Sequence, residues 1–211
     1  MAKADRIGNR QRRSLHTKVP ALGHYFIVTD TAETEKNYFY GLRDSLSKEL
    51  QKQIVIRVLT VKTDKLIKKC KEQAELEPQY AEPWIVFDRD QVQEFDKIIK
   101  EAIQEGINVG WSNPCIEIWF DAYFGKIHSY DNSVNCCQGF AQTFLHKTTQ
   151  EYKKSNTQLY AFLNHYGNQE KAIKIAEALF NKLSQSGITT PSKMCPCTTV
   201  HKLVEKIFKN L

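Results

Sequence analysis

A chain of 211 residues, 41% hydrophobic and 26% charged, has the apolar material for one α/β domain or for such a domain with a small helical appendage, and it is not a disordered polyelectrolyte. No apolar run reaches the roughly 18 residues of a membrane span. The polar, basic start lacks the apolar stretch of a secretory signal, so a cytoplasmic protein without a membrane partner is expected. The formal net charge of +6 suits a polyanionic partner without requiring one.

Residues 1–18 carry Lys3, Arg6, Arg10, Arg12, Arg13 and Lys18 against Asp5. Such an arm serves nucleic-acid contact or plain solvation equally well. Residues 1–19 read as a flexible lead-in, and Pro20 and Gly23 mark the start of order. His24–Asp30 is a short apolar run with a polar end, the first expected strand. From Thr34 to about Glu49, Tyr38, Leu42 and Leu46 recur every four residues with Phe39 beside them, which predicts an amphipathic helix. Ile54–Val61 is rich in β-branched residues and reads as a strand, followed by a lysine-rich helix from about Thr63 to Ala74. Glu82 and Pro83 break the pattern. Trp84–Asp90 is a continuous apolar run ending in charge, as in a parallel strand buried on both faces. Phe95, Ile98, Ile99 and Ile103 mark the next helix, ending near Gly106. Ile107–Asn113 is another strand, and Pro114 is placed to open a helix carrying Cys115 to Phe124. The alternation predicts an α/β fold with a mostly parallel sheet flanked by helices.

After Tyr130 the character changes. Residues 131–140 are polar and hold the adjacent Cys136 and Cys137. From Thr149 to about Ser184 helical spacing dominates, through Leu159, Phe162, Leu163, Ile173, Ile175, Leu179 and Phe180. Pro191 and Pro196 interrupt, and Thr199–Leu211 reads as a last helix. The expected organisation is a basic arm (1–19), an α/β core (20–130) and a mainly helical region (131–211) packed on it. The six cysteines do not form a disulfide-like pattern, so reduced thiols are expected.

In open α/β sheets ligands bind beyond the carboxyl ends of the strands, and three expected strand ends deliver acid here. At Asp88-Arg89-Asp90, two close carboxylates call for a proton or a cation between them, and hard oxygen donors suit Mg²⁺ or Mn²⁺; alternatively one Asp caps the following helix. The turn after the first strand holds Asp30, Glu33 and Glu35. Thr34 can cap the helix with Glu35 at its positive end; beside Asp88, an acid of this turn becomes a general base or a further ligand. Ser112 or Asn113 can cap the helix after Pro114, with Glu117 completing a capping box, or Glu117 joins the other acids. Tyr152-Lys153-Lys154, with His146 and Lys147 upstream, is a cluster that holds phosphates and stacks a base, or else a solvated helix face. Cys195-Pro196-Cys197 with His201 resembles part of a zinc site, with His128, His146 or Cys136 as candidates for a fourth ligand. No glycine-rich phosphate loop is present, so ATP hydrolysis by this chain is not expected.

In their order, these motifs resemble the RloB-like family. Ile27–Leu42 (IVTDTAETEKNYFYGL) is similar to its opening motif, WIVFDRD to its Asp-x-Asp strand, and SNPCIEIWF to its Ser-Asn-Pro-x-x-Glu-x-Trp signature; YKKSNTQLY and NQEKAIKIAEAL resemble its C-terminal region. The resemblance implies a Toprim-like domain in which a strand-end Glu and the Asp-x-Asp pair bind a divalent metal for phosphodiester chemistry. It makes Asp30, Asp88 and Asp90 the expected metal ligands, with Mg²⁺ or Mn²⁺ as cofactor. Asp30, Glu35, Asp88, Asp90 and Glu117 are then the expected catalytic acids, and Arg89, Tyr152, Lys153 and Lys154 the nucleic-acid contacts. It implies a nuclease effector of an antiviral or abortive-infection system, dimeric, cleaving nucleic acid (tRNA or other RNA favoured) and controlled by an ABC-type ATPase; the related effector of PARIS-type systems attacks tRNA. Asp30 and Thr31 stand where the family has Glu and Gly. The shorter arm of Asp favours an alternative, a non-catalytic scaffold or sensor that docks to the ATPase. Between Asp30 and Glu35, Asp30 is the expected acid, because the sheet fixes a strand end.

Overall fold

The structure, a computed structural model, describes residues 25–29, 33–59, 65–80, 82–90 and 92–209. The basic arm and Asp30 lie outside the described residues. The sheet runs in the order β2-β1-β3-β4-β5, comprising β1 (Tyr25–Thr29), β2 (Ile54–Val58), β3 (Glu82–Asp88), β4 (Asn108–Asn113) and β5 (Cys197–Thr198). The first four are parallel, and β5 runs antiparallel to β4. The mostly parallel α/β architecture expected from the alternation is present. All five residues of β1 are buried, which is why Tyr25–Val28 is a continuous apolar run rather than an alternating one.

Successive side chains of a strand point to opposite faces, so the central strands feed two cores. Phe26, Val28, Ile85 and Phe87 pack with Leu66 and Cys70 of α3 (Leu66–Leu76) and with Phe95, Ile98 and Ile99 of α4 (Phe95–Gln104). On the other face Tyr25, Ile27, Trp84 and Val86 meet α1 (Thr34–Asp44) and α5 (Glu117–Tyr123). The same core takes in α6 (Ser133–Thr148), α7 (Leu159–Tyr166), α8 (Gln169–Gln185) and α9 (Val200–Lys209). Every residue of α5 is buried, Trp119 completely.

Several expectations shift. The first helix stops at Asp44, and a short α2 (Lys48–Gln51) restarts under Ser47, whose hydroxyl accepts from Leu50 N–H. α5 begins at Glu117, three residues beyond Pro114. The polar stretch 131–140 belongs mostly to α6: Asn132 caps it by accepting from Asn135 N–H at 2.9 Å, and Cys136, Phe140 and Phe144 bury one face. The stretch from Thr149 to Ser184 is mostly helical as expected, divided into α7 and α8. Thr149 ends α6 in the left-handed region (φ 58°), and Asn168 starts α8 by accepting from Lys171 N–H. Among the described residues no helix is long and apolar enough to cross a membrane. All six cysteines are free.

Candidate active site

A cavity of about 890 Å³ opens beyond the carboxyl ends of β1, β3 and β4. Glu33, Thr34 and Glu35 line it from the start of α1, Asp88 and Asp90 from the end of β3, and Cys115, Ile116 and Glu117 from the start of α5. Ser133, Cys137 and Gln138 of α6 and Lys154 of the following loop close it. Among these residues five carboxylates (Glu33, Glu35, Asp88, Asp90, Glu117) face one ammonium, Lys154. Carboxylates outnumber the ammonium in this lining, a balance that attracts cations.

Each acid is held. Asp88 Oδ2 accepts from the Ile116 N–H at 3.0 Å, tying the end of β3 to the approach of α5. Asp90 sits at φ 22°, a backbone region uncommon for any residue but glycine, and its neighbours hold it there. Its N–H donates to Pro114 O (3.1 Å), and its Oδ1 accepts from Ser133 Oγ (2.6 Å). Glu35 is 1% exposed and sits in the first turn of α1, where the helix dipole favours negative charge. Glu117, also 1% exposed, accepts at Oε1 from Tyr152 OH at 2.9 Å, with Lys154 Nζ at 3.6 Å. Its Oε2 is buried without a hydrogen-bond partner. Burial and the Glu117 charge push the Tyr152 hydroxyl well above its ordinary range, so it donates and does not ionise. Burial works to lower the Lys154 pKa, but Glu117 together with Cys137 and Cys115 outweighs it, and the ammonium stays charged.

The sequence profile of the RloB-like protein family matches residues 25–207, from the first strand into the last helix. The chain belongs to the RloB-like family. No curated protein and no solved structure gives a significant match.

In this RloB-like chain the predicted acids Glu35, Asp88, Asp90 and Glu117 share one cavity, whereas Asp30 lies outside the described residues. The capping alternatives fail. Among the described residues no side chain caps α1. Ser112 Oγ bonds Thr198 Oγ1, and Asn113 Nδ2 donates to Pro191 O and Ser192 O, so both bind the C-terminal segment rather than α5. Of the expected nucleic-acid contacts, Lys154 reaches the cavity, its backbone fixed by Asn37 Nδ2 donating to Lys154 O. Lys153 pairs with Glu151 on the surface, and the Tyr152 ring packs edge-on against Phe140 at 4.8 Å. Arg89 is half-buried next to the acids with Nε unpartnered. Sequence reasoning missed Cys115 and Cys137, whose sulfurs lie 4.0 Å apart on the cavity wall. Cys115, two residues before Glu117, was the available signal.

Cys195, Cys197 and His201 do not gather into a metal-ligand group among the described residues. His201 is fully buried, with Nε2 2.6 Å from Glu177 Oε2. Burial lowers its pKa despite Glu177, which works the other way. The unfolded chain therefore protonates first as pH falls, and stability drops once pH goes below about 6.5, the unfolded value. Glu177 opposes burial through its His201 contact, and its own lowered pKa adds a further loss in the carboxylate range. The melting temperature should be flat above about pH 7 and fall towards about pH 5; His201→Gln should flatten that fall. Parallel curves for variant and wild type would refute the assignment.

Proposed function

We propose that this protein is a metal-dependent nuclease acting on RNA, with the acidic cavity as its centre. One observation carries the reading: acids from the end of β3 and from the starts of α1 and α5, which follow β1 and β4, meet in one cavity beside Lys154. The residues fit a divalent cation. The donors are mostly hard oxygens, and Glu117 Oε2 is buried with no partner. Asp88, Asp90 and Glu117 would hold Mg²⁺ or Mn²⁺, with Asp30 as a further ligand. When bound, such an ion neutralises phosphate charge and acidifies a coordinated water.

The chain supplies the rest. Lys154 holds a non-bridging phosphate oxygen. Glu35, in the first turn of α1, takes the proton of the attacking water. Tyr152, Ser133 and the Ile116 amide keep Glu117, Asp90 and Asp88 from drifting, which matters because a misplacement of about 1 Å costs about 10²-fold in rate. Arg89 and Lys153 contact the flanking backbone. Membership in the RloB-like family supports the wider setting: a cytoplasmic, dimeric antiviral effector held in check by an ABC-type ATPase.

The test is incubation of purified protein with tRNA, single-stranded RNA and duplex DNA under Mg²⁺ or Mn²⁺. Cleavage of RNA by wild type and not by Asp88→Ala is expected. Identical results for the two proteins on every substrate would defeat the proposal. Asp30 in place of the family's Glu favours the second reading, a non-catalytic scaffold docking to the ATPase. Calorimetry showing no Mn²⁺ binding dependent on Asp88 and Asp90 would select it.

A further inference from the structure

We propose that Cys115, Cys137 and Glu117 form a second cation site, selective for a thiophilic divalent ion such as Zn²⁺, on the wall of the same cavity. This goes beyond the nuclease reading: it shares Glu117 with that reading and adds two sulfurs that the reading does not use. A sulfur of each cysteine and a carboxylate oxygen of Glu117 lie within 4.8 Å of one another. The two sulfurs are 4.0 Å apart. Two sulfurs bound at about 2.3 Å to one tetrahedral zinc sit about 3.8 Å apart, so almost no movement is needed. Glu117 is 1% exposed and keeps one oxygen, Oε2, without a hydrogen-bond partner. Carboxylate oxygens in that state are matched by a proton donor or a cation.

Charge also closes. Two thiolates and a carboxylate carry three negative charges, and Zn²⁺ leaves one, which Lys154 Nζ at 3.6 Å from Glu117 neutralises. Binding releases both thiol protons to solvent. A tetrahedral ion held by these three ligands would keep a fourth position for water or a phosphate oxygen. Backbone placement makes the site a clasp: Cys115 precedes α5 and Cys137 lies on α6, so one ion ties the two together.

Cobalt reports thiolate ligation directly. The full chain, reduced and stripped of metal, is titrated with Co²⁺ and followed for the thiolate-to-cobalt charge-transfer band in the near ultraviolet. Wild type should reach saturation at one equivalent. Cys115→Ser and Cys137→Ser should lose the band with unchanged far-ultraviolet circular dichroism. Glu117→Gln should raise the Kd at least about tenfold, the loss that even outer-shell changes produce. Cys195→Ser should keep the band, and so should Asp88→Asn, which separates this site from the oxygen-donor site and lets either fail alone. X-ray absorption of the zinc-loaded wild type, independent of any variant's folding, should give two sulfurs at about 2.3 Å. A shell of oxygen and nitrogen only, or a band that survives in the Cys115→Ser/Cys137→Ser double variant, would overturn the proposal.

Discussion

Glu35→Gln should lower the rate of metal-dependent RNA cleavage by about 10²- to 10³-fold while leaving substrate affinity nearly intact, the loss seen when one preorganised electrostatic group is removed. The substitution is nearly isosteric, so α1 keeps its packing and only the charge goes. Glu35 is 1% exposed, on the same cavity wall as Asp88 and Glu117, and begins a helix whose neighbours Tyr38, Phe39 and Leu42 are fully buried. Its position is therefore as firmly fixed as that of a strand residue. Single-turnover rates with Mn²⁺ check this. Asp30→Asn and Asp30→Glu belong in the same series: with Asp30 as a metal ligand, the first should be damaging and the second should retain or raise the rate. Wild-type rates in Glu35→Gln beside an inactive Asp30→Asn would move the base to Asp30 and leave Glu35 a helix-dipole residue.

Trp119→Ala should cost about 3–5 kcal/mol, the range for emptying a large aromatic from a core. For a chain of this size that is a melting-temperature drop of about 6–20 °C, at about 2–4 °C per kcal/mol. Trp119 is fully buried at the middle of α5, with its ring 5.2 Å from that of Tyr123 in an edge-to-face pair. It belongs to the core cluster that joins strand, α1 and C-terminal residues, so the cavity it leaves lies inside packed structure. Because Glu117 is on the same short helix, metal affinity should weaken in parallel. Ile103→Ala is the control: Ile103 is 63% exposed on α4, and a change within about 0.5 kcal/mol is expected. Equal melting temperatures for the two variants would contradict the packing account.

Where burial on both faces left a continuous apolar run, the sequence was readable. β1 and β3 were such runs, and the helix through Phe95, Ile98 and Ile99 followed its spacing. The acids were readable too, since strand ends and acidic turns are local features. Long-range partners were not. Whether Glu117 completes a capping box or faces a cavity is decided by Tyr152, 35 residues away, which no spacing reveals. The polar composition of 131–140 hid α6, although Asn132 and the four-residue spacing of Cys136, Phe140 and Phe144 were visible signals. β5 carried no readable signal: two residues, Cys197 and Thr198, have no periodicity and form a strand only because β4 offers them hydrogen bonds.

That two-residue strand has a consequence for solubility. A parallel sheet that ended at β4 would present a row of unpaired N–H and C=O groups, a template onto which another chain can add. β5 covers the Ser112–Asn113 end of that row, where Asn113 and Ser112 are also pinned by side-chain bonds to the C-terminal segment. Running antiparallel and stopping after two residues, it is itself too short to recruit a neighbour, and Thr199 N–H, donating to Trp111 O, turns the chain away into α9. On this side the sheet thus ends in a seam that seals itself.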